Sequence, residues 1–255
     1  MNIMIIMATM RWQHWARLRT QFLYIASTPG LRLFWMPVLY PRERDSAATE
    51  ALHQLFGHHA PRWIQPLVIA EEPGVNHCIR KQNAALDRLE EMGFDGWLLT
   101  ASDDNLLPHN LGKRLLQSRV SGLKSKVGHS PADDGNASRL QPPASRLNRV
   151  IVFSHKRGQH IPAPPPRDFG TSDLIAAPEN MVVGKVSGEQ YFVHSSLLEG
   201  FRFAHHGCCD GQLVQALHEQ APGEFRFVPD YFIPFNALEP GRWEPDELQK
   251  VLEAE

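Results

Sequence analysis

The sequence predicts an α/β protein, built as a single domain with a mostly parallel central sheet flanked by helices. Short apolar, strand-like runs recur at residues 1–7, 31–40, 63–70 and 96–101. Segments with apolar residues at helical spacing lie between them, and Gly, Pro or Asn marks the changeovers. Alternating strands and helices are the pattern of a helix-covered parallel sheet. The run Gly96-Trp97-Leu98-Leu99-Thr100-Ala101 is nearly all apolar, as expected of a strand buried on both faces.

Each element follows from local composition. Residues 1–7, Met-Asn-Ile-Met-Ile-Ile-Met, are too few to cross a bilayer and carry no basic leader before Arg11, Trp12 and His14. They predict a first strand, not a signal segment. In residues 11–26, Trp15, Leu18, Phe22 and Ile25 recur at helical spacing until Ser27-Thr28-Pro29-Gly30 breaks the pattern. A strand over 31–40, a helix over 46–56 and a strand over 63–70 come next. Gly74 and Asn76 introduce a helix with Ile79, Leu86, Leu89 and Met92 on one side, which ends at Gly93 before the strand at 96–101. Residues 119–172 are rich in Ser, Gly, Pro and basic side chains, including Pro142-Pro143 and Pro164-Pro165-Pro166. They read as loop with one strand-like insert at 149–154, either a mobile insertion or a lid and binding surface. Strands over 180–186 and 190–193, a helix over 210–220 and a strand over 224–228 complete the chain. The domain thus divides into residues 1–118, the insertion 119–172, and residues 173–255.

Composition narrows the function classes. A net charge of −2 gives no electrostatic reason to bind nucleic acid. The three cysteines, Cys78, Cys208 and Cys209, lack zinc-ribbon spacing, and a vicinal pair does not close a relaxed disulfide. A reducing, cytoplasmic setting is the expectation, with peripheral membrane association left open.

Ser102-Asp103-Asp104-Asn105, at the end of the apolar run, is the most informative motif. Ligands of open α/β sheets sit beyond the carboxyl ends of the strands. Two adjacent carboxylates repel unless a positive charge lies beside them, and a divalent cation with oxygen ligands answers that need. A solvated turn with a helix cap is the other reading of Asp-Asp-Asn.

Several segments together resemble glycosyltransferases of the GT-A fold, in particular the inverting enzymes of family 2 type and the glucuronosyltransferase-like branch. The strand and helix over residues 3–26, the segment Arg80-Lys81-Gln82-Asn83-Ala84-Ala85-Leu86, and Ala101-Ser102-Asp103-Asp104-Asn105 look like corresponding parts of those enzymes. Gly207-Cys208-Cys209-Asp210-Gly211-Gln212-Leu213-Val214 is similar to the place where such families put an acidic catalytic base. The likeness covers most of the chain outside 119–172. It implies transfer of a sugar from a nucleoside-diphosphate-sugar donor, a UDP-sugar first among them, to a hydroxyl of a glycan or small-molecule acceptor. It also implies a divalent Mn2+ or Mg2+ cofactor and inversion of configuration. The roles implied are Asp210 as base, Asp104 on the metal, Asp103 on the donor nucleotide, Thr9, Arg80 and Asn83 in the donor site, and Glu189 on the acceptor.

Departures from that pattern are visible. Ser102 stands where the first acidic residue of an Asp-x-Asp motif is often found, and Gln82 precedes Asn83 where a basic residue is common. Glu189 also reads as a strand-edge carboxylate in solvent, and Asp210 and Thr9 as plain helix caps. His205-His206 supply further candidate ligands, and Arg242 and Trp243 a diphosphate contact and a sugar platform, or else a terminal turn. A nucleotidyltransferase is the competing enzyme class, disfavoured because Met7-Ala8-Thr9-Met10-Arg11 lacks a glycine-rich phosphate loop. A nucleotide- or carbohydrate-binding protein without catalysis is the third reading.

Overall fold

The computed structural model describes residues 1–8, 14–41, 66–71, 76–102, 105–121, 148–158, 173–204, 211–235, 237–238 and 243–253. Their strands form one seven-stranded sheet in the order β3-β2-β1-β4-β6-β5-β7. The strands are β1 (Asn2–Met7), β2 (Arg32–Leu39), β3 (Leu67–Val68), β4 (Trp97–Ala101), β5 (Val150–Arg157), β6 (Tyr191–His194) and β7 (Phe225–Phe235). The helices are α1 (Trp15–Ala26), α2 (His77–Glu91), α3 (Leu111–Ser121), α4 (Gln212–Gln220) and α5 (Pro245–Glu253). β3, β2, β1 and β4 run parallel, β6 is antiparallel to both β4 and β5, and β7 is parallel to β5.

The two-residue period of a strand sorts its side chains onto two cores. On one face Ile3, Ile5 and Met7 of β1 meet Leu18, Phe22 and Ile25 of α1, Leu111 and Leu115 of α3 and Leu252 of α5. On the other, Met4 and Ile6 meet Ile79, Leu86 and Leu89 of α2 and Leu213, Val214 and Leu217 of α4. β1 and β4 are apolar apart from Asn2 and Thr100 because each face is covered. Each fully buried aliphatic side chain contributes on the order of 1.5–3 kcal/mol. α2 starts where the Asn76 side chain accepts from the backbone N–H groups of Cys78 and Ile79, at 3.0 and 3.3 Å. It ends with Phe94 N–H donating to the Leu89 carbonyl and Gly93 N–H to that of Glu90, both at 3.0 Å.

The structure corrects the sequence reading at several places. Residues 180–186 are not a strand. A 3-10 turn over Pro178–Asn180 leads into a bend in which Gly184 takes φ +86°, and Val182 and Val183 lie exposed while Met181 is buried. Proline fixes φ, and positive φ at glycine redirects the chain out of an extended path. The region taken as loop from residue 119 is preceded by α3, which extends to Ser121, and its strand-like insert runs on to Arg157. β3 is two residues long, β7 is eleven, and the predicted terminal turn is followed by α5. Proline at its first position and Asp246 and Glu247 in its first turn suit the start of that helix. The expected helix over 46–56 lies outside the described residues.

Candidate active site

β1 and β4 end level with each other, Met7 pairing in register with Ala101, while β2 pairs Pro37 with Met7 and runs two residues further to Leu39. From β1 the chain first builds outward through β2 and β3, then returns to place β4 on the opposite flank. Such a reversal of strand order is the switch point at which open α/β sheets bind ligands, in a crevice beyond the carboxyl ends of the strands, here those of β1 and β4. Thr9 follows β1 in sequence, and Asp103 and Asp104 follow β4. These three residues, with Asp210, His205, His206 and Arg242, lie outside the described residues. Trp243 is half-buried just before α5.

Arg80, Asn83 and Glu189 are described. Arg80 donates from Nε to the Ala70 carbonyl at 2.9 Å, tying α2 to the segment after β3. Asn83 closes a two-way clasp on Phe203: its Nδ2 donates to the Phe203 carbonyl at 3.1 Å, and its Oδ1 accepts from the Phe203 N–H at 2.8 Å. The amide thus holds residues 201–204, the stretch leading toward Asp210, against α2. Leaving two backbone groups without partners costs about 1–3 kcal/mol. Asn83→Ala is therefore expected to lower Tm by about 5 °C in a thermal melt; an unchanged Tm would show the clasp to be idle.

Glu189 is not a carboxylate in solvent. It is 3% exposed and lies in a 3-10 turn, Gly188–Gln190, immediately before β6. One oxygen accepts a short hydrogen bond from the backbone N–H of Ser102, the first residue past β4. The other accepts from the Ser187 hydroxyl at 2.9 Å. Ser187 in turn lies 3.0 Å from Nδ1 of His155 on β5, a fully buried ring. Because the hydroxyl gives its proton to Glu189, it accepts from a ring N–H of His155, whose Nε2 lies 3.3 Å away. Burial, then the charge of Arg157, pushes the His155 pKa down to about 3, so the ring is neutral around pH 7.

Sequence reading left Lys81 without a role, yet its side chain is fully buried. Its Nζ sits 4.6 Å from the ring centroid of Tyr40, the residue after β2. Tyr40 is also buried, and its hydroxyl lies 2.9 Å from Nδ1 of His77 at the start of α2. The signal was present in the helical period: Lys81 falls one turn before Ala85 on the buried face of α2.

No group of three or more metal-ligating side chains occurs among the described residues. Both Glu189 oxygens are engaged by the chain's own donors, and Asp103 and Asp104 lie outside the described residues. A pair of carboxylates suits hard divalent ions, which commonly take one or two carboxylates and complete their shell with substrate phosphates and water.

No protein-family model and no curated protein sequence match this chain. Among solved structures, a mannosyltransferase from Pyrobaculum calidifontis, PcManGT in complex with GDP-Man and Mn2+, superposes with TM-score 0.50 at 14% identity, covering 94% of this chain. The chain has a GT-A-like fold. S. aureus TarS, residues 1–349, superposes with TM-score 0.48 at 10% identity over 92% of this chain. A nucleoside-diphosphate-sugar pyrophosphorylase from Vibrio cholerae RC9 reaches TM-score 0.40 at 13% identity, covering 98% of this chain and 99% of its own. The chain spans 58% of the length of both PcManGT and TarS. No helix among the described residues is long and apolar enough to cross a membrane.

Proposed function

We propose that this GT-A-like domain transfers a sugar from a nucleoside-diphosphate-sugar donor to an acceptor hydroxyl, with inversion and with a divalent cation. What supports the reading is the GT-A-like fold with its switch in strand order between β1 and β4; in sequence, Thr9 follows β1 and Asp103-Asp104 follow β4. The complex of PcManGT with GDP-Man and Mn2+ supports a nucleotide-sugar donor and a cation for the same fold.

In this proposal Asp104 holds the cation and Asp103 orients the donor nucleotide. When bound, Mn2+ or Mg2+ supplies positive charge to the departing diphosphate. Asp210 takes the proton of the acceptor hydroxyl. The acceptor oxygen forms a bond to the anomeric carbon as the bond from that carbon to the diphosphate oxygen breaks. One displacement inverts configuration, and the nucleoside diphosphate leaves with the bonding pair. Arg80, beside Ala70, extends the donor side of the crevice, while Asn83 holds the chain that leads to the base.

Thermal shift with UDP, GDP and ADP, each with and without Mn2+, tests this reading on the parent chain and on Asp104→Ala and Asp210→Asn. A ligand present at about 100 times its Kd stabilises by about 2.7 kcal/mol, a rise in Tm of several degrees. Cation-dependent stabilisation by one nucleotide, lost in Asp104→Ala and kept in Asp210→Asn, is the expected result. No response of the parent to any nucleotide overturns the donor site. Retained donor binding without turnover of any nucleotide-sugar would identify a binding protein instead.

A further inference from the structure

The feature that the proposed chemistry leaves unused is the buried chain of polar groups running from His155 through Ser187 and Glu189 to the backbone of Ser102. A buried carboxylate costs several kcal/mol unless it is hydrogen-bonded, so Glu189 is maintained against a penalty. Its two oxygens face inward, toward Ser102 N–H and the Ser187 hydroxyl. The turn that carries it is anchored from three sides. Ser187 N–H donates to the Gln190 side-chain oxygen at 3.0 Å, and the Gln190 amide donates to the Phe153 carbonyl of β5 at 3.2 Å. Gly188 lies so close to Thr100 of β4 that a Cβ there would meet the Thr100 carbonyl at 2.8 Å. The fourth contact is the hydrogen bond at Ser102, one residue before Asp103 and two before Asp104.

We propose that Glu189 is a positioning residue: it clasps the Ser102 N–H and so fixes the direction in which the chain leaves β4 to present Asp103 and Asp104 to cation and donor. This rests on the proposed function and assigns Glu189 a task on the donor side, in place of contact with the acceptor. His155 and Ser187 complete the device. The neutral imidazole orients the hydroxyl, and the hydroxyl leaves Glu189 with one oxygen aimed at Ser102. The β5–β6 half of the sheet, paired with β4 through antiparallel β6, thereby sets the direction of the chain at Ser102 on the β1–β4 half. A glutamine preserves the clasp, since its oxygen can accept from Ser102 and its amide can donate to Ser187 once the hydroxyl turns its own proton to an imidazole nitrogen, whereas alanine removes it.

The test compares parent, Glu189→Gln, Glu189→Ala and Ser187→Ala. Mn2+ binding is titrated by electron paramagnetic resonance, with Mn2+ alone and with UDP or GDP. Amide exchange at Ser102 is followed by NMR, and KM for donor and acceptor is measured where turnover is found. Glu189→Ala is expected to weaken Mn2+–nucleotide binding at least tenfold, raise donor KM and lose Ser102 protection, while Glu189→Gln stays within about threefold of the parent. Ser187→Ala gives the same trend at smaller amplitude and serves if Glu189→Ala does not fold. Glu189→Ala binding like the parent overturns the proposal. So does Glu189→Gln failing as badly as alanine, which would make the charge itself the working group, or a rise confined to acceptor KM. A parent that binds no Mn2+–nucleotide overturns the proposed function and the positioning role together. Ser102 protection in that same parent then shows whether the clasp exists without a donor site, which separates the two failures.

Discussion

Gly188→Ala is expected to lower Tm by about 10 °C and to abolish cation-dependent nucleotide binding. The added Cβ would lie 2.5 Å from Thr100 Oγ1 and 2.8 Å from the Thr100 carbonyl. The hydroxyl can rotate away, but the carbonyl belongs to β4 in the middle of the sheet, so the turn over residues 188–190 must lift. Overpacking of this kind costs about 1–3 kcal/mol. Lifting the turn also separates Glu189 from Ser102 and Gln190 from the Phe153 carbonyl, and stranding buried polar groups adds about 1–3 kcal/mol. At about 2–4 °C per kcal/mol for a chain of this size, the total gives the stated shift. Gly223 is the control, since a Cβ there meets nothing within 4 Å and its φ is not positive. A Gly188→Ala melt within 1 °C of Gly223→Ala would show that the turn does not rest on β4.

The second large effect is loss of stability in acid through His155. In the unfolded chain its pKa is about 6.5, whereas in the folded protein burial, with a further contribution from Arg157, holds it down at about 3. Between those values the unfolded state takes up a proton that the folded state refuses. This contribution to stability is therefore complete above about pH 6.5 and falls as the pH drops toward 3, by at most about 1.4 kcal/mol per unit. Glu90, whose pKa is lowered chiefly by its hydrogen bond to Arg202, also loses its folded-state preference in acid, so the parent alone does not isolate the histidine. The comparison with His155→Gln does: its Tm between pH 7 and pH 4 should fall less steeply than the parent's, from a lower starting point. Parallel curves for the two proteins would mean that His155 contributes nothing to the acid limb.

Much of the crevice half of the fold was legible because its signals are local. The apolar runs of β1 and β4, the Asn76 cap and Gly93 stop of α2, and the alternation of strands with helices are each written in a few consecutive residues. The second half was harder, since β6 is four residues long and its direction depends on partners distant in sequence. The apolar Met181-Val182-Val183 run carries strand-like composition, yet Pro178 and Gly184 turn the chain there.

The sequence by itself determined that residues with carboxylate, amide and guanidinium groups gather near strand ends and helix starts in a parallel α/β order. Only the tertiary structure decided what Asn83, Lys81 and Glu189 do there. Asn83 reaches across 120 residues to the backbone of Phe203, Lys81 is sealed over Tyr40, and Glu189 turns inward to Ser102 and Ser187. The physical reason is that residue type and spacing fix local conformation. Whether a polar group meets solvent, a ligand or a buried backbone amide depends on which distant segment is packed against it.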